Sequence, residues 1–376
     1  MNKFKLLIGV FSIILLIQVF LVSVVVGVGD SWTDKAPIPV KRLFGQSVAT
    51  TNGMIYAIGG TSISDIPTEV IFSLMPGTIG YPNIIVGVNE MYNPDTDTWT
   101  TKKSMPTARE NFGLTTSQNK IYAIGGTVDN KGAITGVNEV YNIETDTWET
   151  KAQLPSAMEC LDANAVGGKI YVIGGRQPIL SGGYFYFNDN LVYDIETNVW
   201  SNKTTPPIDI GDYTSAVIDS KIYILPYESS APLLIYDTDT DKWSQGASMP
   251  ASVYSAVMGA TTGKIAPKQL YVMSGDLDVV QIYDPATNKW SAGTQMPTER
   301  QGFSIAVLND NIYVMGGTGI NSSGDANEMY ISDTEYKKTT NPQINVSLLV
   351  TVAVIITIIP VVIVMIWLKT KKEKHG

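Results

Sequence analysis

Chemistry in this chain is bounded first by what is scarce. There is one histidine, His375, at the extreme C-terminus, and one cysteine, Cys160. A lone terminal histidine removes imidazole-ligated zinc, copper and iron, and Ser-His or Cys-His catalytic pairs, from the body of the chain. A single cysteine allows no intrachain disulfide. Cys160 reads as a small buried hydrophobe, because no histidine stands near to activate it. Four arginines remain: Arg42, Arg109, Arg176 and Arg300, with Glu110 and Glu299 beside two of them. A guanidinium recognises carboxylate or phosphate with two parallel hydrogen bonds. These six residues are the candidate ligand-binding set. In the competing reading, the same Arg and Glu side chains pair to staple neighbouring structural units. The Asp/Thr-rich stretches Asp95–Asp97 and Asp237–Asp241 lack the glycine and terminal glutamate of a calcium loop, so they read as turns and no metal is expected.

What positions these residues is a repeated strand. Ile55–Gly60 reads Ile-Tyr-Ala-Ile-Gly-Gly. Ile121–Gly126 is identical, and Ile170–Gly175 and Ile312–Gly317 are close copies. Leu270–Gly275 keeps one glycine, and Ile222–Pro226 keeps neither. After each copy comes a second strand carrying tyrosine, then an Asp/Asn/Thr turn, then tryptophan, as in Tyr92 with Trp99 and Tyr141 with Trp148. From Trp99 the tryptophans advance by 49, 52, 43 and 47 residues. Units of four strands, A to D, at this period predict a β-propeller.

The strand ending in Gly-Gly, with Tyr and Trp at fixed distances behind it, closely resembles the kelch repeat, across essentially all of residues 30–335. The resemblance implies an all-β, six-bladed kelch-type propeller. Trp32 precedes the first signature and no tryptophan follows the last before the C-terminal apolar run, so the N-terminal strand is expected to supply strand D of the sixth blade. Such closure pairs edges that an open array leaves exposed.

In a propeller of this kind, the B–C and D–A loops share one face. The B–C loops vary most: the first runs Thr61–Gly87, and the third holds Tyr184-Phe185-Tyr186-Phe187. Variable loops on a rigid scaffold are where binding concentrates. Three arginines stand just before strand A and Arg176 just after Gly-Gly, so all four are expected at the mouth of the central channel on that face.

The ends differ from the middle. Lys3 and Lys5 precede an apolar run to Val28, which reads as an export signal or signal-anchor over residues 1–29. Residues 344–368 contain an uncharged run long enough to span a bilayer, and Lys369, Lys371, Lys372 and Lys374 make residues 369–376 a basic cytoplasmic tail. The expectation is a single-pass membrane protein with the propeller, residues 30–340, outside the cytoplasm. Between Asp30 and Gln343 there are 20 basic and 34 acidic residues, a net charge of −14, which argues against nucleic acid. The sequence thus predicts a cofactor-free module at the cell surface that binds an extracellular protein or glycan. The alternative is a carbohydrate-active enzyme, similar to a sugar mutarotase, using Arg and Glu at the channel mouth. Asn202, Asn321 and Asn345 stand in glycosylation sequons.

Overall fold

The computed structural model describes residues 30–49, 52–63, 84–227, 232–250, 255–274, 279–319 and 322–332. The chain divides into a unit Met1–Tyr336 and a unit Lys337–Gly376, and every described residue belongs to the first. Residues 1–29, 344–368 and 369–376, on which the signal, span and tail expectations fall, lie outside the described residues. Among the described residues no helix is long and apolar enough to cross a membrane.

The described elements are strands, organised in eight antiparallel sheets, six of which are the blades. Blade 1 has strands Gln46–Ala49, Ile55–Ile58, Asn89–Asn93 and Thr98–Lys102. Blade 2 has Gly113–Ser117, Lys120–Ile124, Asn138–Asn142 and Thr147–Lys151. Blade 3 follows with Ala163–Val166, Lys169–Ile173, Asn190–Asp194 and Val199–Asn202. Blade 4 is built from Tyr213–Ile218, Lys221–Pro226, Leu234–Asp237 and Lys242–Gln245. Blade 5 comprises Val257–Ala260, Leu270–Ser274, Val279–Asp284 and Lys289–Ala292. Blade 6 takes Gln301–Leu308, Asn311–Gly319 and Asn327–Ile331 from one end of the repeat region and Ser31–Asp34 from the other. Trp32 pairs with Tyr330 in that last sheet, as the count of tryptophans predicted. The A strands neighbour one another in sequence, and that of blade 6 neighbours that of blade 1. This is the arrangement of a kelch-type propeller.

Six apolar clusters fill the interfaces between blades. The B strand is buried on both faces, which is why its residues are large and apolar without a solvent side. Its tyrosine stacks against the strand C tyrosine of the next blade: Tyr56 on Tyr141, Tyr122 on Tyr193, Tyr171 on Tyr236, Tyr223 on Tyr283, and Tyr271 on Tyr330. Tyr313 on Tyr92, at 6.0 Å between centroids, completes the circle. Such tilted aromatic contacts add to the area they bury.

A polar clamp ties each blade to the next at the outer edge. Tyr141 Oη donates to Asp146 Oδ1 at 2.7 Å, and the same oxygen accepts the Lys103 N–H at 2.8 Å. Trp148 Nε1 donates to the Lys103 carbonyl at 2.7 Å. Blades 1, 3, 4 and 5 repeat the device with Asp97, Asn198, Asp241 and Asn288. These five residues hold positive φ between 53° and 57°, a conformation that Asn and Asp tolerate best among non-glycine residues. Trp32 donates to the Thr294 carbonyl across the ring closure. The Asp/Thr stretches are thus turns that also carry the joints between blades.

The Gly-Gly pair is a second joint. Gly59 and Gly60 have φ of 64° and 94°. Gly60 N–H donates to the Arg109 carbonyl of blade 2 at 2.9 Å, and a Cβ on Gly59 would lie 2.7 Å from that oxygen. Only glycine supplies both the φ and the approach.

Candidate functional site

Three of the four arginines point into the blades, away from the channel mouth where the sequence placed them. Arg109 is fully buried, and its Nη2 donates to Glu139 Oε2 at 2.7 Å and to the Ala123 carbonyl at 3.1 Å. Arg300 makes the same contacts with Glu328, at 2.8 Å, and Val314. Arg42, 3% exposed, pairs with Glu90. Burial lowers the pKa of Arg42 and Arg109 to about 10, which leaves both charged at neutral pH. Each pair lies inside one blade and joins the entry to strand A with strand C. The staple reading therefore needs correcting twice: these three pairs join strands of one blade, not neighbouring blades, and the partners are different glutamates. Glu90, Glu139 and Glu328 hold the arginines, and the sequence neighbours Glu110 and Glu299 do not. Glu299 is exposed. Glu110 instead accepts the Thr61 hydroxyl of blade 1, and burial raises its pKa. A sequence signal for the true partners existed: Asn-Glu-x-Tyr occurs at Asn89, Asn138 and Asn327, in the blades that carry the arginines.

Arg176 differs. It follows Gly175 directly, so it leaves strand B on the B–C face. Its Nε donates to Glu159 Oε1 at 3.1 Å and its Nη1 to Asp212 Oδ2 at 2.6 Å, bridging blades 3 and 4. Its guanidinium lies 3.8 Å from the centroid of the Tyr184 ring. It keeps 19% of its side-chain exposure. Of the six predicted residues, the structure brings Arg176 alone to the cavity wall.

That cavity, of about 530 Å³, occupies the channel and takes lining from all six blades. Its polar wall is Arg176, Asp162, Asp212, Ser215, Tyr213 and Tyr227, from blades 3 and 4. Phe44, Phe303 and Ile305 from blades 1 and 6 form an apolar wall. Asp162 Oδ2 accepts the Ser215 N–H at 2.6 Å and the Ser215 hydroxyl at 2.9 Å, while Asn164 donates to the same hydroxyl. Burial nevertheless raises the Asp162 pKa to about 6. Cys160 also lines the cavity, and burial pushes its thiol pKa up, against nucleophilic character.

Sequence reasoning missed Asp162, Asp212, Tyr213, Ser215 and Tyr227. The available signal was the worn signature of blade 4, where Pro226-Tyr227 stands in place of Gly-Gly. There strand B runs on to Pro226, and Tyr227 enters the channel with its hydroxyl on the Ala256 carbonyl at 2.6 Å.

The third B–C loop forms a hairpin beside this cavity, pairing Arg176–Pro178 with Tyr184–Tyr186. Tyr184, Phe185 and Tyr186 are 43%, 51% and 45% exposed, and Ile179 and Leu180 at the turn are exposed too. Phe187, the next residue, is buried between blades 2 and 3. Of the first B–C loop, residues 64–83 lie outside the described residues. Among the described residues no group of three or more His, Cys, Asp or Glu could hold a metal ion.

Residues 45–275 match the family model described as the KLHDC2/KLHL20/DRC7 Kelch-repeats domain. Kelch-like protein 15 of Mus musculus is 32% identical over 99 residues, which is 26% of this chain and 14% of that protein. Kelch-like protein 28 of Homo sapiens is 31% identical over 98 residues, 26% of this chain and 15% of that protein. The chain thus matches about one seventh of the length of these relatives. The solved structure of YjhT superposes with a TM-score of 0.62 at 15% identity, covering 80% of this chain and 97% of that one, a likeness of fold.

Proposed function

The chain belongs to the KLHDC2/KLHL20/DRC7 Kelch-repeats domain family, and from that premise we propose that its propeller binds a protein partner on the B–C face, at the blade 3 hairpin and the adjoining cavity. Kelch propellers are protein-interaction modules, and the observation that supports this site for the interaction is the hairpin. Three consecutive aromatic side chains at 43–51% exposure, beside a wall of charged groups, match the aromatic centre and polar rim of protein interfaces. Solitary exposed apolar residues are ordinary, whereas a contiguous group marks a contact surface. The sugar-processing alternative loses its basis, because Arg42, Arg109 and Arg300 are engaged inside the blades.

The lysine-flanked apolar segments support a membrane-anchored chain, oriented with the propeller outside the cytoplasm and facing an extracellular protein. A glycan is the narrower ligand class on the same face.

The test uses a photo-crosslinking amino acid at position 184 of the full chain in its native membranes, with the same residue at position 243 as control. A discrete crosslinked protein from 184 alone supports the proposal, and equal crosslinking from both sinks it. Protease digestion of intact cells tests orientation: a cleaved propeller supports the outside placement, and a protected one refutes it.

A further inference from the structure

The cavity carries a charge argument that deepens this reading. Two carboxylates, Asp162 and Asp212, face it against one guanidinium, Arg176, which is already engaged twice by Glu159 and Asp212. Asp162 accepts both Ser215 hydrogen bonds on Oδ2, and neither comes from a cation. An incoming carboxylate or phosphate would meet uncompensated negative charge at low dielectric, which opposes binding. The opposite wall, with Phe44, Phe303 and Ile305, offers apolar contact. A volume of about 530 Å³ falls within the range of ligand cavities.

The geometry points to a basic side chain of a protein partner, an arginine or lysine beside an apolar residue, as the group that enters this cavity. The cation sits against Asp162 and Asp212, and its neighbour packs on the Phe44 and Phe303 wall. This rests on the protein-binding reading and adds the chemical identity of the anchor. Arg176 shows how the local chemistry holds a guanidinium: carboxylates at its edge and the Tyr184 face beneath it. The net charge of −14 between Asp30 and Gln343 also steers a basic partner toward the propeller.

The experiment selects a phage-displayed random heptapeptide library on the full chain in detergent micelles. Counter-selection uses Asp162→Asn/Asp212→Asn. The expected result is enrichment of heptapeptides with Arg or Lys next to an aromatic or aliphatic residue, with capture falling about tenfold or more on the double variant. Arg176→Gln removes the competing internal cation, so it should hold these peptides at least as well as the parent. Circular dichroism checks the fold of each variant, and Asp212→Asn alone replaces the double variant if that one unfolds. Enrichment of acidic or uncharged peptides, no enrichment at all, or basic peptides held equally by the double variant overturns the inference. Peptides whose capture depends on Tyr184→Ala/Tyr186→Ala but not on Asp162 would overturn it while leaving the protein-binding reading standing.

Discussion

Blades 6, 1 and 2 and blades 3 and 4 solve one internal position in two ways. In the first group an arginine before strand A pairs with the glutamate two residues before the strand C tyrosine. In blade 3 the corresponding residues are Met158 and Leu191, both in the apolar cluster of the blade 2–3 interface. In blade 4 they are Ile210 and Leu234, both in the next cluster. Strand B follows this only in part: Ala57 and Ala123 lie opposite the glutamates of blades 1 and 2, but Val314 lies opposite Glu328 in blade 6, and Val172 and Ile224 lie opposite the leucines. Position and backbone are held constant, so the chain contains its own double substitution. In these five blades the charge pair is either present whole or replaced whole by apolar residues, while blade 5 carries a buried Gln281 at the glutamate position. A buried ion pair is costly to halve and cheap to replace whole. Blades 3 and 4, which dropped the pair, are also the ones that supply the polar wall of the channel.

The largest expected effect comes from halving a pair. Arg109→Met should cost about 3–5 kcal/mol by leaving Glu139 buried and unpaired, read from denaturant unfolding. Arg109→Met/Glu139→Leu with Ala123→Val copies blade 3 into blade 2. It should recover most of that loss, and failure to recover would show that the two groups of blades are not interchangeable.

Next is the Gly-Gly joint, which blade 4 lacks. Gly59→Ala forces a side chain toward the Arg109 carbonyl at φ 64° and should destabilise by about 1–3 kcal/mol. Tyr227→Gly in blade 4 should instead cost the hydrogen bond to Ala256 and the channel packing, with no gain from a restored glycine.

The outer clamp gives a smaller effect. Trp148→Phe removes one indole donor to Lys103 and should cost about 1 kcal/mol in thermal or denaturant unfolding.

The smallest effect is pH dependence, where the comparison is between aspartate and asparagine clamps. The Tyr141 hydroxyl is the main cause holding the Asp146 pKa below its ordinary value. A depressed folded pKa means the stability is present above the unfolded value and lost as pH falls through the folded one. Asp146→Asn copies Asn198 and should reduce the loss of melting temperature on acidification below about pH 4. Asp162 has the opposite sign. Its folded pKa, raised to about 6, means stability declines as pH climbs from the unfolded value toward 6. Asp162→Asn keeps an acceptor for Ser215 and should flatten that decline.

The period of the repeat, the Gly-Gly strand ends, and the tyrosine and tryptophan positions were all readable, because each is demanded by local backbone geometry and recurs, the Gly-Gly in four of the six units. Recurrence also exposed the closure: an unmatched Trp32 at one end needed Tyr330 at the other. The scarcity of histidine and cysteine excluded whole chemistries by composition alone. What linear order could not supply was the pairing of groups far apart in the chain. Arg109 has Glu110 beside it, yet strand geometry delivers Glu139, thirty residues on, into the same buried space. The channel wall was equally hidden, because Asp162, Asp212 and Tyr227 belong to no motif and meet only when blades 3 and 4 turn their inner strands to one axis. Sequence therefore determined the unit and its repetition, through local conformation and hydrophobic period. The tertiary structure decided which charges are spent inside the blades and which face the cavity, because burial and distance exist only after the ring has closed.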